Sequence, residues 1–158
     1  MNKKILVLFL FVAIVSMSTA CAFDFNDLLN PSSDDSAGET VALYGIDFNI
    51  PGGFSEVTNE SIDNEASDNP YVDYNLSSKT YVNDDGDVVI ISASVSDNPV
   101  NDSFAKDASE GGNKTTINGV EGYTFSDPDF EGFTFAKDGK LVMIFVNDKQ
   151  LFNDVVVA

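Results

Sequence analysis

Ile46, Phe48 and Ile50 alternate with Asp47 and Asn49, which sets three apolar side chains on one face of an extended chain. Pro51-Gly52-Gly53 then interrupts the pattern, so a first strand is predicted over Tyr44 to Ile50. Phe54 follows, and Ser55 to Asn69 is polar and acidic without alternation, which reads as a long loop. Strands are predicted again at Lys79 to Val82 and at Val88 to Val95, the second with Val89, Ile91, Ala93 and Val95 on one face. Between them, Asn83-Asp84-Asp85-Gly86-Asp87 has the composition of a hairpin turn.

Asn98-Pro99 has the form of a helix cap with proline at the first helical position, where a missing N–H costs nothing. Val100, Phe104 and Ala108 continue at helical spacing, and Gly111-Gly112 closes that helix. Thr115 to Ile117 and Val120 to Phe125 meet at Asn118-Gly119, a strong hairpin signal, with Tyr123 and Phe125 on one face. Phe133 and Phe135 repeat the alternation before the turn Lys137-Asp138-Gly139-Lys140. Leu141 to Val146 is apolar on both faces, which predicts a central strand. Asn147 or Asp148 can cap a last helix that buries Leu151, Phe152, Val155 and Val156. The predicted fold class is α+β, an antiparallel sheet of about six strands flanked by two helices.

The N-terminus has a different grammar. Asn2-Lys3-Lys4 is a short basic leader, Ile5 to Val15 is continuously apolar, and Ser16 to Ala22 is rich in small residues. This is the secretory signal-peptide order over residues 1–22, with an apolar run well short of the roughly twenty residues that span a bilayer. Cys21, the single cysteine, falls at the cleavage region. Three outcomes stay open: lipidation at Cys21, release before Phe23 by cleavage after Ala20-Cys21-Ala22, and an uncleaved N-terminal anchor. Ser18 stands where a lipobox carries a branched apolar residue, so the lipoprotein match is partial. Residues 23–40 carry a small apolar patch (Phe23, Phe25, Leu28, Leu29) and then Asn30 to Gly38, a Pro/Ser/Asp/Gly stretch that reads as a flexible linker. A single domain is expected over 41–158, long enough for its own core.

Charge narrows the partners. The 158 residues carry 26 acids against 8 lysines, with no arginine, histidine or tryptophan, for a net charge of −18. Loss of Lys3 and Lys4 with the leader makes the balance more acidic still. Nucleic acid is excluded as a partner, because phosphate recognition needs clustered cations. Anionic lipid is disfavoured too, leaving the membrane reachable only through an N-terminal anchor. The expected localisation is secreted or cell-surface.

Candidate chemistry is sparse. Asp84, Asp85 and Asp87 invite a calcium reading, since hard cations want several oxygens close together. An EF-hand loop would need a distant bidentate Glu, and Ser92 stands five residues beyond Asp87, so a plain turn explains the acids as well. Asp127-Pro128-Asp129 with Glu131 forms a second acidic bend. Four Asn-x-Ser/Thr sequons begin at Asn59, Asn75, Asn101 and Asn113, and export would expose them to glycosylation. Without histidine, and with no cysteine in the domain, nucleophilic triads and the commonest zinc and haem ligands are missing. A pair of carboxylates acting as a wall-polymer hydrolase is the one catalytic alternative. Tyr44, Phe48, Tyr123, Phe125, Phe133, Phe135 and Phe145 suit either an apolar groove or the core between sheet and helices.

The segment Phe48-Asn49-Ile50-Pro51-Gly52-Gly53-Phe54 resembles the strand ending in Pro-x-Gly-aromatic near the start of domains of the PsbP-like superfamily. The two hairpins from Thr115 to Val146 and the closing amphipathic helix extend that resemblance over 41–158. In composition, rich in Asn, Asp and Phe, the chain is similar to small envelope proteins of methanogenic archaea. The resemblance implies a sheet flanked by helices and a binding or accessory role. The expected function is thus a non-enzymatic envelope protein without an organic cofactor, meeting an envelope protein or wall polymer. A divalent-cation (calcium) module is the alternative.

Overall fold

The computed structural model describes residues 37–67 and 73–158. The leader, Cys21 and most of the expected linker therefore lie outside the described residues. The chain is α+β, with ten strands in two antiparallel sheets and two short α-helices among the described residues. Strands β1 (Glu39–Leu43) and β2 (Ile46–Ile50) form a separate hairpin. The large sheet contains β3 (Phe54–Glu56), β4 (Ile62–Ala66), β5 (Tyr74–Asn83), β6 (Val88–Ser96), β7 (Asn113–Ile117), β8 (Val120–Ser126), β9 (Glu131–Lys137) and β10 (Lys140–Val146). Its order is β3-β5-β6-β10-β9-β8-β7, with β4 sharing the outer edge of β5 with β3.

The large sheet has eight strands where about six were expected, and the reason is local. Ser55 to Asn69, read as a loop, contains the end of β3, a 3-10 turn at Thr58–Glu60 and β4. β4 is an edge strand whose side chains are mostly exposed, with a register shift between Ile62 and Glu65, so it carries no period-two burial signal. β1 was hidden differently. It begins at Glu39, inside the expected linker, and only Leu43 of the strand is fully buried. Tyr44 and Gly45 turn it into β2 at φ of 50° and 77°, so the strand predicted from Tyr44 begins two residues later, at Ile46. A non-glycine residue at positive φ is uncommon, and tyrosine gives no turn signal.

β10 is central, as its two-sided apolar sequence predicts: β6 and β9 flank it in antiparallel register. Val142, Ile144 and Val146 face the β1–β2 hairpin, where Leu43, Ile46, Phe48 and Ile50 cover them together with Phe152, Val155 and Val156. Leu141, Met143 and Phe145 face the other way, onto α1 (Asp102–Ala108), through Ala105 and Ala108. The seven aromatics divide between the two layers. Phe48, Phe133 and Phe135 lie in the first core with Tyr44 against it, and Tyr123 and Phe145 lie in the second with Phe125. They therefore do not line one shared groove.

Both helices differ from expectation at their starts. Asn101, not Asn98, caps α1, its side chain accepting from the Phe104 N–H at 3.0 Å. Pro99 stays outside, and the Val100 N–H donates instead to the Gly139 carbonyl at 2.7 Å. The last helix is one turn, α2 (Phe152–Val155), entered through a 3-10 turn at Lys149–Leu151 that Asp148 caps. Val156, expected in that helix, is extended and bridges Phe48.

Two glycines are set by aromatic neighbours. A Cβ on Gly132 would run into the Phe125 ring, and one on Gly122 would meet Phe133 and the Thr134 carbonyl at 2.6 Å. Phe133 is fully buried and the carbonyl belongs to the sheet, so neither can retreat. Gly122→Ala is expected to cost about 1–3 kcal/mol, the range for overpacking a filled core. Thermal unfolding checks this, with a fall of several degrees expected.

Candidate functional site

A set of hydrogen-bonded polar side chains lies along one seam, where the β1–β2 hairpin meets the β3, β4 and β5 edge of the large sheet. Pairing sets the arrangement: Glu56 stands opposite Tyr81, so both project on the hairpin side. Lys79, two residues before Tyr81, shares that face and donates to Glu56 Oε2 at 2.7 Å. Ser61 donates to Glu56 Oε1 at 2.8 Å, so both carboxylate oxygens are held. A second chain of contacts runs alongside. The Tyr44 hydroxyl donates to Asn64 Oδ1 at 3.0 Å, and the Asn64 N–H donates to Ser77 Oγ at 2.9 Å. Asn64 has φ of 51° at the irregularity in β4, so the bulge aims its side chain at the hairpin turn.

Tyr81 is the chemically odd member. It is 1% exposed, and its hydroxyl finds no hydrogen-bond partner among the described residues. Burial pushes its phenol well above the ordinary value of 10.0, and the charges of Glu56 and Glu39 push the same way. Tyr81 is therefore neutral across physiological pH. Partial burial alone would raise the Glu56 carboxyl, but the hydrogen bonds from Lys79 and Ser61 and the Lys79 charge outweigh it and hold it below 4.5. The seam thus presents a fixed carboxylate–ammonium pair, an amide and the Tyr44 phenol, a set able to exchange hydrogen bonds with a polar ligand, while the Tyr81 hydroxyl lies buried behind it.

The acidic turn expected as a cation candidate is organised around itself. Asp87 N–H donates to Asn83 Oδ1 at 2.8 Å, and Asn83 Nδ2 donates to Asp87 Oδ2 at 2.9 Å. Asp84 and Asp85 are exposed at the tip, and Asn147 Nδ2 fastens the turn through the Gly86 carbonyl at 2.9 Å. The structure therefore does not bring Asp84, Asp85 and Asp87 together. Among the described residues, no group of three or more acidic or sulfur side chains is placed to hold a metal ion. The second acidic bend is likewise closed internally: the Asp127 N–H donates to the Phe130 carbonyl, and Ser126 donates to Glu131 at 2.7 Å.

The four sequon asparagines have different surroundings. Asn59 and Asn113 are exposed, on the 3-10 turn and on β7. Asn101 is exposed but spends its side-chain oxygen capping α1, and Asn75 is half-buried in β5 between β4 and β6. The seam itself was missed from the sequence, because Ser55 to Asn69, which carries Glu56 of β3 and Asn64 of β4, was read as a loop. One signal was present: Lys79 alternates with Tyr81 in the predicted strand and stands as an isolated cation in an acidic stretch.

Two outcomes follow from the seam. Tyr81→Phe removes a buried, unpartnered hydroxyl and is expected to leave stability unchanged or raise it by about 1 kcal/mol in urea unfolding. A clear loss would show that the hydroxyl has a partner in solution. For Glu56, the folded carboxyl titrates below its ordinary 4.5, so its contribution is present above that pH and is lost as pH falls through the folded value. Glu56→Gln is therefore expected to lower stability near neutrality by about 1 kcal/mol or less. It is also expected to flatten the decline of stability below pH 4.5, as read from unfolding midpoints across that range.

No protein-family model, no curated protein and no solved structure matches the chain, and the functional reading rests on its own residues.

Proposed function

We propose that this is an exported cell-envelope protein that works by binding, with the seam between the hairpin and the β3–β5 edge as its contact site. The observation that carries this reading is the leader: a basic start, an apolar run and a small-residue end ahead of one folded unit. The seam supplies the chemistry. Its fixed ion pair, its amide and the Tyr44 hydroxyl suit a polar, neutral or cationic ligand, such as a hydroxyl-rich wall polymer or the basic surface of an envelope protein. The net charge of −18 repels anionic ligands over the whole surface. Membership of the PsbP-like superfamily belongs to the same proposal. It is supported by Ile50 ending β2, by Gly53 turning at φ of 85° and by Phe54 opening β3 within the core. An accessory role is what that resemblance implies.

Fractionation of the native cells, with mass measurement of the recovered chain, tests the export step. The expected result is an extracytoplasmic protein beginning at a lipid-bearing Cys21 or at Phe23. A cytosolic protein with its leader intact contradicts the proposal. Retention on isolated envelope polymer tests the binding step. Lys79→Ala with Tyr44→Phe is expected to weaken retention severalfold while the unfolding transition stays cooperative, because exposed polar anchors contribute about 0.5–1.5 kcal/mol each. Retention unchanged by that pair would place the contact elsewhere.

A further inference from the structure

The fold separates the four Asn-x-Ser/Thr sequons by what their side chains are already doing. A glycan acceptor of this type needs the asparagine amide and the hydroxyl two residues on, so an enzyme must reach both together. Asn101 caps α1 through Oδ1, and Ser103 lies within that helix, where positions two apart do not face each other. Asn75 is half-buried in β5 between β4 and β6, and its partner Ser77 is buried and accepts the Asn64 N–H. Asn59 is exposed, but Ser61 donates to Glu56 Oε1 at 2.8 Å. The backbone between those two is also drawn into the 3-10 turn, with the Glu60 and Ser61 N–H groups held by Val57 and Thr58.

Asn113 and Thr115 differ on each count. Both lie on β7, and positions two apart on a strand share a face. Neither side chain has a hydrogen-bond partner among the described residues. Thr115 is paired with Gly122, which sets no side chain beside its hydroxyl. Thr124, paired with Asn113, turns its own hydroxyl back onto the Asn113 carbonyl at 3.3 Å. β7 is also the last strand of the large sheet, so its outer side has no partner strand. It carries no proline and no bulge, and its one charge, Lys114, is paired with Glu121 at 3.2 Å. The chain itself therefore does little to blunt this edge.

We propose that Asn113 carries an N-linked glycan, transferred from a polyprenyl phosphate or pyrophosphate carrier. Asn113 Nδ2 bonds to the anomeric carbon of the first sugar, and that carbon's bond to the carrier phosphate breaks. The amide gives up one proton, and the carrier leaves as its phosphate or pyrophosphate. The inference rests on the export reading above, because export is what brings the sequon to such a transfer. Its consequence is a division of labour across the sheet. β3 and β7 end the strand order on opposite sides, six strand spacings of about 4.8 Å apart. A glycan at Asn113 then shields the free edge and leaves the seam open to its ligand.

The test is mass spectrometry of the full chain recovered from native cells, intact and as peptides, with its cellular fraction recorded. The expected result is an extracytoplasmic chain with a glycan mass on the peptide carrying Asn113 in most molecules. That mass is expected to vanish in Asn113→Gln and in Thr115→Val and to persist in Thr115→Ser. Far-UV circular dichroism of the three variants confirms that each folds. An extracytoplasmic chain with Asn113 bare overturns this inference and leaves the export reading standing. Glycan found only at Asn59, Asn75 or Asn101 overturns it as well, as does mass at Asn113 that survives Thr115→Val. A cytosolic chain with its leader intact overturns the export reading and this inference together.

Discussion

A strand with Val142, Ile144 and Val146 on one side and Leu141, Met143 and Phe145 on the other has no face it can give to water. Burying six such side chains is worth on the order of 1.5–3 kcal/mol each, so both sides of β10 must be covered. The chain meets this demand with two unlike layers. The β1–β2 hairpin and the C-terminal turn form one, and α1 the other. The meander from β7 to β10 follows from the same constraint, because it returns the chain to pair β10 with β6 in the middle of the sheet.

The two layers are fastened by different chemistry. α1 is held by Ala105 and Ala108 against the sheet and by the Tyr123 hydroxyl, which donates to Asp102 at 2.7 Å. The hydrogen bond to Asp102 keeps that phenol protonated beyond its ordinary range, and burial adds to it. The opposite layer depends on packing. Phe48 and Phe152 enter the core, a single bridge joins Phe48 to Val156, and Asn118 Nδ2 donates to the carbonyls of Asn153 and Val156. Asn118 belongs to the β7–β8 turn, so one residue of a tight hairpin also secures the end of the chain. The polar seam lies at the border of this packing-held layer, where a ligand could contact hairpin and sheet together.

Where periodicity and turn chemistry act together, the sequence was readable. Asn118-Gly119 and Asp138-Gly139 adopt the paired positive φ that tight hairpins require, and the strands beside them fall where alternation places them. Leu141 to Val146 announced a central strand through apolar residues on both faces. Legibility failed where tertiary context decides. β4 exposes Asp63, Asn64, Glu65 and Ala66, and nothing in Ile62–Ala66 separates an edge strand from a loop. The β1–β2 turn uses Tyr44, whose unusual backbone is accompanied by its hydrogen bond to Asn64, twenty residues away. The seam was invisible for the same reason, since Glu56 meets Lys79 only through the pairing of β3 with β5, and Asn64 reaches Tyr44 only once β4 and the hairpin are in place.

The acids show the same division. From sequence, only the acids of two turns (Asp84, Asp85 and Asp87; Asp127, Asp129 and Glu131) stood out among 26 carboxylates. In the fold, Glu56 answers Lys79, Asp87 closes a turn with Asn83, Asp102 receives Tyr123 and Asp148 caps a 3-10 turn. The measurement that bears most directly on this account is native-state hydrogen exchange, read strand by strand. If β10 is the element on which both layers depend, its amides and those of β6 exchange only through global unfolding, while the β1–β2 hairpin opens at lower free energy. Exchange of the β10 amides as fast as those of the β1–β2 hairpin would contradict it.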